Sequence, residues 1–94
     1  MFNSNFKVEL SAKAEKDFAS LDNVIQKHLF KKFSELENLE NPLKYSAKLV
    51  GFKNYYRHRF GDYRIIFTTE KNGKIVILLI LKIAHRKDIY KDLK

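Results

Sequence analysis

NYYRHRFGDYRIIF, residues 54–67, reads as two strands meeting at Gly61-Asp62. Side chains alternate across a strand with a period of two, so Arg57 and Arg59 share one face and Tyr56, His58 and Phe60 the other. Arg64 falls across the hairpin from the first pair. The chain has four arginines, Arg57, Arg59, Arg64 and Arg86, all within 30 residues, whereas its fifteen lysines are scattered. A guanidinium is a planar fork that binds phosphate through two parallel hydrogen bonds, which a lysine ammonium does not match. The clustering therefore predicts an arginine patch on one sheet face.

Outward from this hairpin the pattern is α+β. Residues 6–10 alternate as a first strand, and Ser11 is a suitable N-cap for a helix near residues 12–21. Val24, Ile25, His28, Leu29, Phe33 and Leu36 form the stripe of a second helix near residues 24–40, closed by Asn41-Pro42. Residues 43–53 lack a period and read as a connection. Strands follow near residues 54–60, 63–70 and 74–83, the last two joined by the Asn72-Gly73 turn signal. The fourth strand is apolar on both faces and belongs inside the sheet. The expected architecture is an antiparallel β-sheet of about four strands packed against an N-terminal helical hairpin. Two helices cover one face, so the other is left thinly covered.

At 94 residues the chain, 1–94, is a single domain. Without cysteine it has neither disulfides nor thiolate metal sites, which fits a reducing compartment. The N-terminus lacks a signal-peptide pattern, and the apolar run 75–81 is too short to span a membrane. Residues 1–47 carry seven lysines against seven acids, so the whole net charge of +8 belongs to residues 48–94. Such asymmetry suits a polyanion or an acidic protein partner.

The arginines read as phosphate clamps able to stabilise charge on a reacting phosphoryl group; the alternative is a solvated face paired to Asp62 or Asp88. His85, where the fourth strand ends, is a candidate proton-transfer group or a simple turn residue. Tyr90 is placed to stack on a base or to pack the chain end. Lys53 and Lys87 flank the two basic segments and join Arg57 and Arg59 as candidate RNA- or phosphate-binding residues. The three histidines lie on separate elements, so no metal site is expected. Glycines at 51, 61 and 73 are too far apart for a phosphate loop.

NYYRHRFGDYRIIF followed by AHRKDIY closely resembles the RelE/ParE superfamily of toxins from type II toxin–antitoxin pairs, over nearly the whole chain. The resemblance implies a small cytoplasmic toxin, without cofactor, neutralised by a cognate antitoxin. RelE-like members enter the ribosome and cut mRNA without a metal: the 2′-hydroxyl attacks the adjacent phosphate and a 5′-hydroxyl end is released. ParE-like members inhibit DNA gyrase instead, and a non-catalytic RNA-binding module is a third alternative. The RelE-like pattern of two basic residues, an arginine, a late basic residue and a tyrosine is matched by Arg57 and Arg59, then Arg64, Arg86 and Tyr90. The best-understood RelE-like site carries lysines where this chain has Arg57 and Arg59. Arginine does not serve as a base, so the resemblance leaves that role to His85, to another group or to the ribosome.

Overall fold

The computed structural model describes residues 5–49, 51 and 54–89. The chain runs β1 (Phe6–Leu10), α1 (Ala12–Ala19), α2 (Asn23–Glu37), a 3-10 turn (Pro42–Tyr45), β2 (Ala47–Lys48), β3 (Tyr55–Phe60), β4 (Tyr63–Asn72) and β5 (Ile75–His85). The sheet order is β1-β5-β4-β3-β2. The expected helical hairpin and the β3-β4-β5 meander are both present. The sheet is nevertheless mixed: β1 pairs with β5 in parallel, because the two helices carry the chain back before the meander begins. The two-residue β2, too short to show alternation, extends the opposite edge against β3.

Local chemistry explains the boundaries. Ser11 caps α1, its Oγ accepting from the Ala14 N–H at 3.1 Å. Asn38 ends α2 four residues before Pro42, its side-chain amide donating to the Ser34 carbonyl at 3.0 Å. Gln26 ties the helices together by donating to the Phe18 carbonyl at 2.9 Å. The β3–β4 turn uses Gly61 at φ 58 as its first central residue. In the β4–β5 turn Asn72 still pairs with Ile75, so Gly73 at φ 64 and Lys74 form the turn, one residue later than Asn72-Gly73 implies. In both turns only the glycine has positive φ, the pattern of a type II′ hairpin.

The core lies between the helices and one sheet face. Leu29, Phe33 and Leu36 of α2 and Ala14 of α1 are buried with Ile65 and Phe67 of β4 and Leu78, Ile80 and Ile83 of β5. Tyr56, Phe60 and Val8 close its margins. The α2 stripe is narrower than its spacing implies, since Val24 is 68% exposed and His28 is also exposed. At the outer edge of β1 the Val8 N–H donates to the Glu37 carboxylate at 2.7 Å, which satisfies a group that an edge strand otherwise leaves open.

Candidate functional site

Register assigns the faces. Arg59, Arg64 and Ala84 stand opposite one another across β3, β4 and β5, and the next row on the same face is Ala47, Arg57, Ile66 and Lys82. The rows on the other face are Phe60, Tyr63 and His85, then His58, Ile65 and Ile83, then Tyr56, Phe67 and Ile80. These second rows carry the core residues, so the arginines occupy the face away from the helices. The predicted patch exists, and Arg64 is at its centre.

Electrostatics confirm the grouping. Partial burial, then the positive charges of Arg59, Arg57 and Arg86, lower the pKa of the Arg64 guanidinium against the opposing pull of Asp62. Arg64 also donates to the Gly61 carbonyl at 2.7 Å and to its neighbour Tyr63 at 3.0 Å, which anchors the head of the side chain over the β3–β4 turn. Arg86 reaches the same turn from the other side. Its N–H donates to the Asp62 carbonyl at 2.8 Å, and its Nε lies 3.8 Å from Asp62 Oδ1. Both partners are exposed, 58% and 73%, so this pair orients Arg86 more than it stabilises the fold.

The arrangement crowds like charges, which is useful when an anion is to be bound. Because the folded state holds the Arg64 proton less tightly, the charge opposes folding at every pH below the folded pKa, the physiological range included. Only strong alkali removes it; an anion compensates it at neutral pH. Inorganic phosphate is therefore expected to raise the Tm of the protein more than chloride at equal ionic strength, the added stability reaching about 2.7 kcal/mol at a hundred times its Kd. Equal shifts with the two salts exclude a specific anion site here.

His85 is not brought to this face. Its ring meets Tyr63 edge-on at 5.6 Å on the helix side of the sheet, its Nδ1 accepts from the Lys87 N–H at 3.2 Å, and its carbonyl accepts from the Asp88 N–H at 2.8 Å. These contacts make it an anchor of the turn after β5 and set its ring on the face opposite the arginines, rather than beside them where the expected proton-transfer role needs it. The accepting Nδ1 leaves the proton of the neutral ring on Nε2. His58 is structural as well: Ser46 Oγ lies 3.0 Å from its Nδ1, and its ring meets Phe60 at 4.8 Å. Lys87 is exposed beside Arg86. Tyr90 and Lys53 lie outside the described residues. Among the described residues no three His, Cys, Asp or Glu side chains are grouped as metal ligands, and no helix is long and apolar enough to cross a membrane.

The model of a family described as the ParE toxin of type II toxin-antitoxin system, parDE, matches residues 8–90. The chain belongs to the RelE/ParE toxin superfamily. Its similarity to individual members favours the RelE-like branch. Toxin RelE3 of Methanocaldococcus jannaschii is 37% identical over 78 residues, covering 80% of this chain and 84% of that one. The RelB-RelE antitoxin-toxin complex from Methanococcus jannaschii contains a chain 28% identical, with a TM-score of 0.64 over 90% of this chain and 98% of that one. The RelBE2 complex from Mycobacterium tuberculosis matches with a TM-score of 0.71, covering 87% and 92% of the two chains, and at 22% identity it shows the shared fold alone.

Within this RelE/ParE fold, sequence reasoning missed Lys82. Continuing the alternation of Leu78 and Ile80 puts Lys82 under the helices. In the structure Phe67 pairs with Ile80 and Ile66 with Lys82, so Leu81 is an extra residue, a β-bulge that reverses the alternation. The available signal was compositional: Ile83 is a better core residue than Lys82, and only a bulge buries Ile80 and Ile83 together.

Proposed function

We propose that this chain is the toxin of a type II toxin–antitoxin pair and cuts mRNA on the ribosome. The observation that carries the proposal is the set of guanidiniums converging on Arg64, on a sheet face that no helix among the described residues covers. In this reaction the 2′-oxygen bonds to the adjacent phosphorus, its proton passes to an acceptor, and the P–O5′ bond breaks. The products are a cyclic phosphate and, after protonation of the leaving oxygen, a 5′-hydroxyl. Arg64 and Arg86 stabilise the extra charge on the phosphoryl oxygens, while Arg57, Arg59, Lys53 and Lys87 hold the strand and Tyr90 stacks on a nucleotide. The proton acceptor is supplied by the ribosome or solvent, since a guanidinium remains protonated and His85 belongs to the opposite face. A cognate antitoxin, the kind of partner that accompanies RelE in the Methanococcus jannaschii complex, neutralises the toxin; in this chain it covers the arginine face with an acidic segment, an association that weakens as salt rises.

The name of the matching family favours a second reading, inhibition of DNA gyrase by the same basic face. Mapping RNA 5′ ends after induction, with and without active translation, alongside a gyrase supercoiling assay, separates the two. Cuts with 5′-hydroxyl ends confined to translated messages are expected; blocked supercoiling with no such cuts overturns the nuclease. His85→Gln is expected to keep cutting within about tenfold of the parent. A loss of about 10²–10⁴-fold, typical of a general acid or base, returns His85 to the reaction.

A further inference from the structure

The β5 bulge has a counterpart on the opposite layer. β1 ends at Leu10, opposite Ile80, and Ser11 makes the last contact, its N–H donating to the Ile80 carbonyl at 2.9 Å. Beyond that point no strand among the described residues neighbours the outer edge of β5. The Ile83 N–H there donates at 3.0 Å to Oδ2 of Asp17 on α1, whose other oxygen is held by Lys13. A partly buried carboxylate thus fastens β5 immediately after Leu81, on the segment whose register decides which of Lys82 and Ile83 enters the core. With Ile83 3% exposed in the core, Lys82 is committed to the arginine face, two strands from Arg57 in the same row.

We infer that Lys82 is a further phosphate-binding residue, that the bulge presents it, and that Asp17 is the residue positioning it. This rests on the nucleic-acid reading of the face. Neighbouring strands are about 4.8 Å apart, so Arg57 and Lys82 sit roughly 10 Å apart across β4, with Arg64 on the strand between them. That span exceeds one phosphate. A nucleic-acid backbone therefore crosses the strands from β3 to β5, with Lys82 holding a phosphate other than the one at Arg64. The ammonium is a point charge on a flexible stem, suited to binding a phosphate without the fixed geometry of a reacting centre.

The test is the salt dependence of binding to a 2′-O-methyl RNA octamer, which has no 2′-hydroxyl to attack, measured by fluorescence anisotropy on the full chain. Each phosphate contact in a single strand adds about 0.7 to the slope of log K against log salt. Lys82→Met is expected to lower the slope by about 0.7, equivalent to about 2.6-fold less affinity lost between 50 and 200 mM salt. Lys82→Arg restores the slope, and Lys74→Met, in the distant β4–β5 turn, leaves it unchanged. Asp17→Ala is expected to lower the slope as Lys82→Met does and to make Lys82→Met silent in the double variant. Asp17→Asn, which keeps an acceptor for Ile83, retains the parental slope. A parental slope in Lys82→Met overturns the inference and leaves the nuclease reading standing. An additive effect of Lys82→Met on a folded Asp17→Ala protein overturns the positioning role. No binding of the octamer by the parent at low salt overturns the nucleic-acid reading itself.

Discussion

Arg64→Ala is expected to lower mRNA cutting by about 10²–10³-fold and to abolish toxicity, while the protein stays folded. The magnitude is that of removing one fixed donor aimed at charge developing in the transition state. Arg64 is the residue to which it applies because its guanidinium is held in advance by the Gly61 and Tyr63 carbonyls and is approached by the charges of Arg59, Arg57 and Arg86. A donor fixed before the substrate arrives needs no reorganisation during the reaction. The fold survives because Arg64 is on the face away from the helices, outside the helix-side core, and its removal relieves repulsion. Arg64→Lys is expected to recover only part of the activity, since one ammonium does not reproduce the bidentate fork. Primer-extension mapping of a translated message, with circular dichroism of each variant, provides the measurement. Parental cutting by a folded Arg64→Ala protein rules out the arginine cluster as the reacting centre.

Much of this arrangement was legible in residues 54–67, for a physical reason. In a two-residue hairpin the turn fixes the register, so Gly61-Asp62 determines that Arg59 faces Arg64 and that Arg57 lies on the same side. No tertiary information is needed for that step. The helical layer was legible because Leu29, Phe33 and Leu36 repeat at a helical period. Features that depend on non-local pairing were not. The parallel pairing of β1 with β5 follows from how the helices return the chain, and β2 is two exposed residues whose only strand character is their pairing with Arg57 and Tyr56. His85 and Lys82 share a third cause. Both follow Leu81, and one unpaired residue there exchanges the faces of everything after it. Strict alternation from Ile80 places His85 among the arginines and Lys82 in the core; the bulge reverses both. The turn anchored by His85 and the carboxylate of Asp17 then hold that reversed register.

The core on the other side of the same strand predicts the largest stability effect. Phe67→Ala is expected to cost about 3–5 kcal/mol, the range for truncating a buried aromatic. Phe67 is fully buried on β4, between Tyr56 of β3 and Ile80 of β5, and its ring stacks on Tyr56 at 5.5 Å. Strands on both sides limit how far the sheet can close around the space, so the lost contacts are not replaced by collapse. A domain of this size has about 5–15 kcal/mol in total, so the variant retains little of its stability. Each kcal/mol corresponds to about 4–8 °C, and a fall in Tm of about 12 °C or more is expected. Ile75→Ala is the contrasting case. Ile75 is 37% exposed at the start of β5, and its truncation is expected to cost less than about 1 kcal/mol. Both are measured by urea denaturation of the isolated toxin, because a bound antitoxin adds its own binding energy to the apparent stability. Comparable losses in the two variants contradict the assignment of Phe67 to the helix-covered face. That assignment also places Arg64 and Ile66 on the face away from the helices, so the denaturation experiment tests the face of the functional site without assaying its activity.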